Sequence, residues 1–379
     1  MKKLIIISVS LLLLVQKLYP QGCIPVRSVN GFGQYNLTDN SYSNSKWQLD
    51  LSNRYFKSFR DFKESTDQKT PAQNQFVNKV YTFNIAVTRI LLNGWSLHMN
   101  LPITANSRTS SAEHGGLNTT RHSTHSFGIG DMRVIAYKWL LPPADSQKFN
   151  IQLGLGIKLP TGDYKVQDYF YRDDTTKVLS PINPGIQLGD GGTGIITELN
   201  TFYVVNKTIT FYGNFYYLIN PREQNGVAFT TGRTPSAIRI KSGSLETSVP
   251  DFYSIRVGGY INAGKLSFSL GIRDDGSPVH DLFGGSNGDR RAGHNISVEP
   301  GIIYKMKTAN LYAYVPIIVD RRIKQNVPDK LVTQLTGVYT VSAGGAANYM
   351  LFAGISFKFP EPNSHKSKMD EVKTFFNKN

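Results

Sequence analysis

The chain of 379 residues contains one cysteine and carries a formal net charge of +15. A single cysteine excludes an internal disulfide bond. The lysines and arginines are scattered along the chain, and many fall in its longer polar stretches, so the charge favours contact with anionic lipid headgroups over nucleic-acid binding. The 20 tyrosines and 21 phenylalanines favour β-strands, in which aromatic residues are enriched.

Residues 1–22 have the pattern of a signal peptide. Two lysines precede the apolar run 4–15, which is too short to cross a bilayer as a helix. Cleavage is expected after Gln21 or Gly22, and Cys23 would then be either a lipidated residue or a free thiol. The pattern predicts export into the periplasm of a Gram-negative bacterium.

Three regions follow the signal peptide. Residues 23–44 are polar and without a clear period, and we expect them in the periplasm or in a lumen; 45–359 form the main body, and 360–379 are a charged, periplasmic tail. No stretch after the signal peptide approaches the roughly 20 apolar residues of a membrane helix. If the mature chain sits in a membrane, only a closed barrel can satisfy its backbone there.

Alternation of apolar and polar residues dominates the main body. In 149–160, for example, phenylalanine, isoleucine and leucine alternate with Asn150, Gln152 and Lys158. Twelve such segments are close in length to the nine to eleven residues of a tilted transmembrane strand, or somewhat longer. The segments are 45–59, 76–90, 95–105, 127–141, 149–160, 193–205, 209–220, 251–261, 266–274, 295–306, 311–320 and 347–359.

The connections between these segments alternate between short and long. The short connection 91–94 contains an Asn-Gly turn, whereas the connection 161–192 is among the longest. Tight periplasmic turns and long external loops are typical of outer-membrane barrels. The predicted fold class is therefore all-β: a transmembrane up-and-down antiparallel barrel of about twelve strands.

Three tryptophans lie at strand ends next to short connections: Trp47, Trp95 and Trp139. Aromatic residues prefer the boundary between membrane and water. We therefore expect these three side chains to form an aromatic girdle on the periplasmic side.

The same alternation assigns polar side chains to the lumen, because Trp95 and Leu97 facing lipid would turn His98 inward. These residues could line a polar conduit or form a hydrogen-bonded, filled interior. The lumen-lining candidates are Asn84, His98, Asn100, Gln152, Lys158, Glu198, Asn200, Tyr212, Asn214, Tyr216, Arg256, Glu299 and Lys305.

The charges assigned to the lumen lean positive. By the same alternation Lys358 also points inward, and with Lys158, Arg256 and Lys305 it outnumbers the inward glutamates. A positive lumen predicts preference for anions, or for uncharged polar and aromatic solutes, over cations.

Metal binding and catalysis receive little support from the sequence. His114, His122 and His125 cluster in one predicted loop, and His122 and His125 are three residues apart, a spacing that can chelate zinc. The surrounding sequence is rich in serine, threonine and glycine, which favours a flexible, solvated loop. Ser96 and His98 would point into the lumen, which disfavours a lipase-like site on the lipid side. We expect no metal, no cofactor and no enzymatic activity.

Two charge clusters lie at the bases of predicted loops. They are Arg273-Asp274-Asp275 and Asp289-Arg290-Arg291. Adjacent opposite charges of this kind favour ion pairs over acid–base machinery.

Two short motifs and the start of the mature chain carry a family resemblance. They are Gly128-Ile129-Gly130-Asp131 leading into Ala136-Tyr137-Lys138, then Lys158-Leu159-Pro160-Thr161-Gly162-Asp163, and the start Gly22-Cys23-Ile24-Pro25-Val26-Arg27. Over about 127–359 the motifs resemble outer-membrane barrels of the phenol-degradation meta-pathway transporter family, which are distantly similar to FadL-like barrels. The start resembles exported barrels of Bacteroidetes. The resemblance implies a barrel for aromatic solutes, although the second motif read alone only ends a strand and opens a loop.

The sequence as a whole predicts a passive channel or binding conduit for small solutes, aromatic or anionic ones among them. The alternatives are a structural or adhesive barrel with a sealed lumen, acting through its external loops, and an outer-membrane hydrolase. The expected partners are outer-membrane lipid and lipopolysaccharide, an unidentified small solute and the barrel-assembly machinery, with no nucleic acid.

Overall fold

The computed structural model describes residues 45–141, 148–173 and 175–360. The predicted signal peptide, the polar segment 23–44 and nearly all of the tail 360–379 lie outside the described residues. Within the described ranges no helix has the length and hydropathy needed to cross a membrane.

The strands begin and end close to the predicted segments. They are β1 (Ser45–Lys63), β2 (Thr66–Asp67), β3 (Val77–Ile90), β4 (Trp95–Ser110), β5 (His122–Ile129), β6 (Met132–Trp139), β7 (Phe149–Leu159), β8 (Gln167–Tyr171), β9 (Lys177–Pro181), β10 (Gly194–Val204), β11 (Ile209–Ile219), β12 (Gln224–Ala228), β13 (Glu246–Ser248), β14 (Phe252–Ala263), β15 (Leu266–Ser277), β16 (Gly293–Lys305), β17 (Ala309–Tyr314), β18 (Ile317–Ile323), β19 (Gly344–Ala347) and β20 (Leu351–Pro360).

Most of these strands form a closed antiparallel barrel. In the described part of the chain, its wall has twelve strand positions, which we call staves. Three staves are interrupted and consist of two consecutive strands each: β5 with β6, β17 with β18, and β19 with β20. The barrel closes where β1, already paired with β3, also pairs with β20; Trp47 lies opposite both Arg89 and Phe359. The predicted fold class is confirmed.

The loops sort by length as the sequence predicts. Short connections lie at one end of the barrel, and the long ones lie at the other, where they contain β2, β8, β9, β12 and β13. Two helices, α1 (Ala237–Lys241) and α2 (Val327–Thr336), also belong to long connections. Helix α2 begins at a capping box, in which the Asn326 side chain accepts from the Asp329 N–H and the Asp329 side chain accepts from the Asn326 N–H.

The two faces of the wall differ in chemistry. Large apolar side chains are exposed along the outer face, for example Leu155 at 64% and Leu270 at 61%. Such a continuous apolar surface is too large for a protein in water and suits contact with lipid tails. The outer face of β1 is apolar or aromatic at most positions from Trp47 to Tyr55 and becomes charged at Lys57, which marks the edge of the apolar band.

The stave of β5 and β6 changes its facing at Gly130 and Asp131. In β5 every second residue, such as Phe127, points outward. If the strand continued into β6 without a break, the same alternation would make Trp139 point outward too. The break shifts the alternation by one residue, so Trp139 is buried on the inner face and packs against Phe202, with ring centroids 5.9 Å apart. The prediction of a girdle position is wrong for Trp139, whereas Trp47 and Trp95 are exposed, at 46% and 47%.

The outer face gives a first prediction. Leu155→Arg should lower the free energy of unfolding in lipid bilayers by about 2–4 kcal/mol, because it places a charge in the middle of the apolar band. Lys57→Arg, at the edge of the band, is the control and should change it by less than about 0.5 kcal/mol. Denaturant titration in vesicles measures both, and an equal effect of the two changes would contradict the assignment of the apolar band to lipid.

Candidate functional site

The thirteen lumen-lining candidates all have their side chains on the inner face of the wall. Most are almost fully buried: Gln152 and Lys158 are 0% exposed and Asn100 is 1% exposed. These side chains are therefore shielded from water, and the middle of the barrel is filled by its own residues.

One part of this filling is centred on Glu198. Its carboxylate accepts a hydrogen bond from the Tyr137 hydroxyl at 2.7 Å and from the amide groups of Asn200 and Asn214 at 3.3 and 3.0 Å. Asn200 also donates to the Gln152 side chain at 3.2 Å. Four staves are thus joined across the interior by side chains, as buried polar groups require.

A second part consists of ion pairs. Arg256 and Arg273 both contact Glu299, at 2.6 and 3.3 Å, and Arg273 also contacts Asp275 at 2.6 Å. Tyr312 donates to the Asp50 carboxylate at 3.0 Å. The ion pairs join the neighbouring strands β14, β15 and β16, and the bond from Tyr312 to Asp50 joins β17 to β1, which both flank β20.

Tyr212 fits into the interior because glycines make room for it. A Cβ atom at Gly258 or Gly271 would lie only 2.3 or 2.2 Å from the Tyr212 hydroxyl. The Tyr212 ring lies 4.9 Å from that of Tyr260, with the planes tilted by 43°. Tyr212 therefore packs inside the barrel, and its ring is not a free stacking surface for a solute.

The two family-like motifs contact each other. The Thr161 hydroxyl donates to the Gly130 carbonyl at 2.7 Å, and the Gly162 N–H donates to the Asp131 carboxylate at 3.1 Å. The break in the wall at Gly130 and Asp131 is therefore bonded to the start of the long connection after β7. These contacts give both motifs a structural role.

The same long connection turns into the barrel at residues 183–190, which we call the constriction segment. Its Asp190 carboxylate forms an ion pair with the fully buried Lys158, and Asp131 lies 3.8 Å from the same ammonium group. Higher up, the Ile186 carbonyl accepts hydrogen bonds from Asn106 and Ser126. Lys158 thus anchors a chain segment that narrows the lumen.

A cavity of about 630 Å³, which we call the vestibule, lies between the constriction segment and the long loops. Its volume lies in the range of small-molecule sites. Its apolar lining includes Phe56, Phe76, Val80, Val227 and Phe252, and its polar lining includes Asn78, Asn183 and Asn225. The sequence-based prediction missed the vestibule because much of its lining comes from loops, where alternation carries no information.

Asp61 faces the vestibule from the end of β1 that lies beyond the apolar band, and its side chain is 9% exposed. Burial raises the pKa of Asp61 to about 6, against the opposing pull of Arg108 and Arg291. Both arginines have closer carboxylate partners of their own, at 2.8 and 2.6 Å. Asp61 is therefore an acceptor that a solute in the vestibule can reach.

A second cavity, of about 70 Å³, lies on the other side of the constriction segment. Gly185 and Gln187 line both cavities. Arg54 and Arg133 line the smaller one, together with Tyr312. The constriction segment therefore separates the vestibule from the filled middle of the barrel.

The charges of the lumen are more balanced than the sequence suggested. The count from alternation left out the acidic residues Asp50, Asp131, Asp190 and Asp275, and it also left out the basic residues Arg133, Arg273 and Arg321; all seven are buried. Lys158 and Arg256 each have a carboxylate partner. Charges of both signs therefore fill the lumen, and the preference for anions, or for uncharged polar and aromatic solutes, over cations stays a prediction. As predicted, the charge clusters at the loop bases form ion pairs: Arg273 with Asp275, and Arg291 with Asp289.

The histidines near the long loops pack against aromatic residues. His122 stacks on Tyr171 with ring centroids 3.9 Å apart, and His114 stacks on Phe170 at 5.3 Å. Burial, with the neighbouring His122 ring, lowers the pKa of His114 to about 4, so its neutral ring accepts from the Tyr171 N–H at 3.1 Å. The prediction of a solvated environment is wrong for His114, which is 1% exposed. The His125 side chain, by contrast, is exposed.

Neither a metal centre nor a hydrolase-like arrangement is found in the described ranges. No group of three or more histidine, cysteine, aspartate and glutamate side chains there is placed to hold a metal ion. His98 bonds through Nδ1 to the Thr88 hydroxyl at 2.9 Å, and the Ser96 hydroxyl has no hydrogen-bond partner among the described residues. Ser96 and His98 are both buried on the inner face.

Comparison with known proteins places the fold. No protein-family model and no curated protein matches the sequence. The COG4313 outer membrane channel from Pseudomonas putida F1 is similar in structure, with a TM-score of 0.58 and 9% identity, over 88% of this chain and 100% of that chain. This chain therefore has the fold of an outer-membrane channel.

Two further solved structures match less well. The toluene transporter TodX of P. putida has a TM-score of 0.42 at 8% identity, over 85% of this chain and 92% of that chain. A FadL homologue of Pseudomonas aeruginosa has a TM-score of 0.38 at 8% identity, over 83% and 90%. Scores of this size support no conclusion about function.

The anchor of the constriction segment gives a second prediction. Lys158→Met should lower the free energy of unfolding by about 3–5 kcal/mol, because Asp190 and Asp131 are left as neighbouring buried carboxylates. Adding Asp190→Asn should recover more than about 1 kcal/mol of that loss, which a double-mutant cycle measures. Lys305→Met, near the short turns, is the control. Additive effects of the two changes would contradict the coupling.

Proposed function

We propose that the protein is an outer-membrane barrel that binds a small solute in the vestibule and passes it across the membrane without an energy source. The vestibule is the observation that carries the proposal: a cavity of about 630 Å³ at the long-loop end of the barrel, with mixed apolar and polar lining. Long loops face outward in outer-membrane barrels, so the vestibule would open to the exterior of a Gram-negative cell.

The lining favours solutes with an apolar or aromatic body and at least one polar group. Phe56, Val80 and Phe252 offer apolar walls, while Asp61 offers a carboxylate that can accept a hydrogen bond. TodX is a toluene transporter, but its low structural similarity says nothing about the solute of this chain. For this chain the aromatic preference rests on the vestibule lining and on the motif resemblance.

Passage beyond the vestibule requires movement. The constriction segment and the buried network below it leave a cavity of only about 70 Å³ in the middle of the barrel. A general diffusion porin keeps a water-filled lumen. We therefore infer that passage is selective and slow and that it requires a shift of the constriction segment. On the outer face of the barrel, the apolar band would contact lipid, and Lys57 and Lys79 would lie near the lipopolysaccharide headgroups.

The filled interior also favours a second candidate, a sealed barrel that acts through its external loops. Gln152, Lys158 and Asn100 are at most 1% exposed, as expected when a small barrel is filled by side chains. Solute flux separates the two candidates, since a sealed barrel conducts nothing.

The flux test uses purified barrels in liposomes and a small neutral aromatic solute. The wild type should carry the solute faster than protein-free liposomes, and Ala343→Trp, which fills the vestibule, should slow the flux at least tenfold. Leu282→Trp is a matched control, because Leu282 lies exposed in a long loop and outside the vestibule lining. Flux equal to that of empty liposomes would favour the sealed barrel.

A further inference from the structure

Arg133 is an unusual residue in the interior of the barrel. Its side chain is 5% exposed, and its Nε and Nη1 atoms are inaccessible and without a hydrogen-bond partner among the described residues. No carboxylate of the described chain forms an ion pair with it. The centroid of the Tyr216 ring lies 6.0 Å from the guanidinium carbon of Arg133. A buried cation in this state is costly unless something else compensates it.

The strand register increases the local positive charge. Arg133 lies directly opposite Lys158 on β7, with both side chains on the inner face. Like charges placed opposite each other repel. Lys158 has Asp190 and Asp131 to balance it, so Arg133 is the member of this pair that lacks a partner.

The carboxylates near Arg133 are held by other groups. Asp131 accepts from the N–H groups of Gly162 and Asp190, at 3.1 and 3.2 Å. Glu198 accepts from Tyr137 and from two asparagine side chains. Neither carboxylate is arranged to pair with Arg133.

Arg133 lines the cavity of about 70 Å³, and a second guanidinium group lies in the same lining. The Arg54 guanidinium, which donates to the Thr82 hydroxyl at 3.0 Å, lines the same cavity with Asn106 and Gln187. Asn100, opposite Arg133 in register, has no hydrogen-bond partner among the described residues for either side-chain polar atom. The space exceeds what one water needs and accommodates an anion the size of a halide.

We propose that the cavity beside Arg133 binds a small monovalent anion of about the size of chloride. The anion balances Arg133, accepts a hydrogen bond from its Nη2 atom and rests between the two arginines on the barrel side of the constriction segment. The Asp131 carboxylate, which also lines the cavity, is screened by Lys158. This site is independent of the solute proposed for the vestibule.

Thermal unfolding of the purified barrel in an uncharged detergent tests the site. At constant ionic strength, replacing sodium gluconate, whose anion is too large for the cavity, by sodium chloride should raise the wild-type melting temperature by about 2 °C or more. Arg133→Gln should abolish the difference between the two salts. Arg256→Gln is the matched control: it removes a buried guanidinium that has a carboxylate partner and lies outside this cavity, and it should keep the difference.

Bromide provides a second measurement that needs no variant. Crystals of the wild type grown with sodium bromide should show an anomalous peak within hydrogen-bond distance of the Arg133 guanidinium. Equal melting temperatures in the two salts, an equal chloride effect in Arg133→Gln, or a cavity without an anomalous peak would each overturn the proposal and assign the space to water. The flux experiment tests the proposed function of the vestibule, and its outcome does not depend on the anion site.

Discussion

The pairing of β1 with β20 is the constraint on which the rest of the structure depends. Ten positions of one strand from Ser45 to Tyr55 lie opposite Pro360 to Leu351 of the other, and this ladder removes the last free edges of the sheet. In hydrocarbon a free edge would leave backbone groups without partners. Closure therefore allows the outer face to be apolar, and it encloses a space of fixed width that the inner side chains must fill.

The filling follows from that fixed width. Polar residues on the inner face cannot reach bulk water, and many of them pair with one another: Glu198 with Tyr137, Arg256 with Glu299, Asp50 with Tyr312. In the described part of the chain, the vestibule lies at the long-loop end of the barrel, where the wall strands extend beyond the apolar band. The vestibule is thus the place where a solute can be bound without first breaking the buried network.

The constriction segment joins the wall chemistry to the vestibule. Its position depends on the break at Gly130 and Asp131, which turns Asp131 toward Lys158 and toward the N–H groups of Gly162 and Asp190. The same break reverses the facing of β6 and brings Arg133 inward. One local irregularity therefore sets both the floor of the vestibule and the positive charge beneath it.

Alternation along the strands was enough to predict the closed barrel and the sorting of loops, because each stave has one polar and one apolar face. Alternation failed at Trp139 because one extra residue in a strand reverses which face the following side chains occupy. The residue types alone do not reveal such an insertion. Asp50 was within reach of the method, because it alternates with Leu49 and Leu51. Asp190 was not, since it comes from a loop whose path depends on the ion pair with Lys158.

We infer that the vestibule is open and that the middle of the barrel is filled. Single cysteines at Ser342, in the vestibule lining, and at Asn100, in the middle of the lumen, test it when Cys23 is replaced by serine. A membrane-impermeant maleimide added to intact cells should label the Ser342→Cys protein and leave the Asn100→Cys protein unlabelled, and the latter should also stay unlabelled in opened cells. Equal labelling of both positions would show a water-filled lumen and contradict the account.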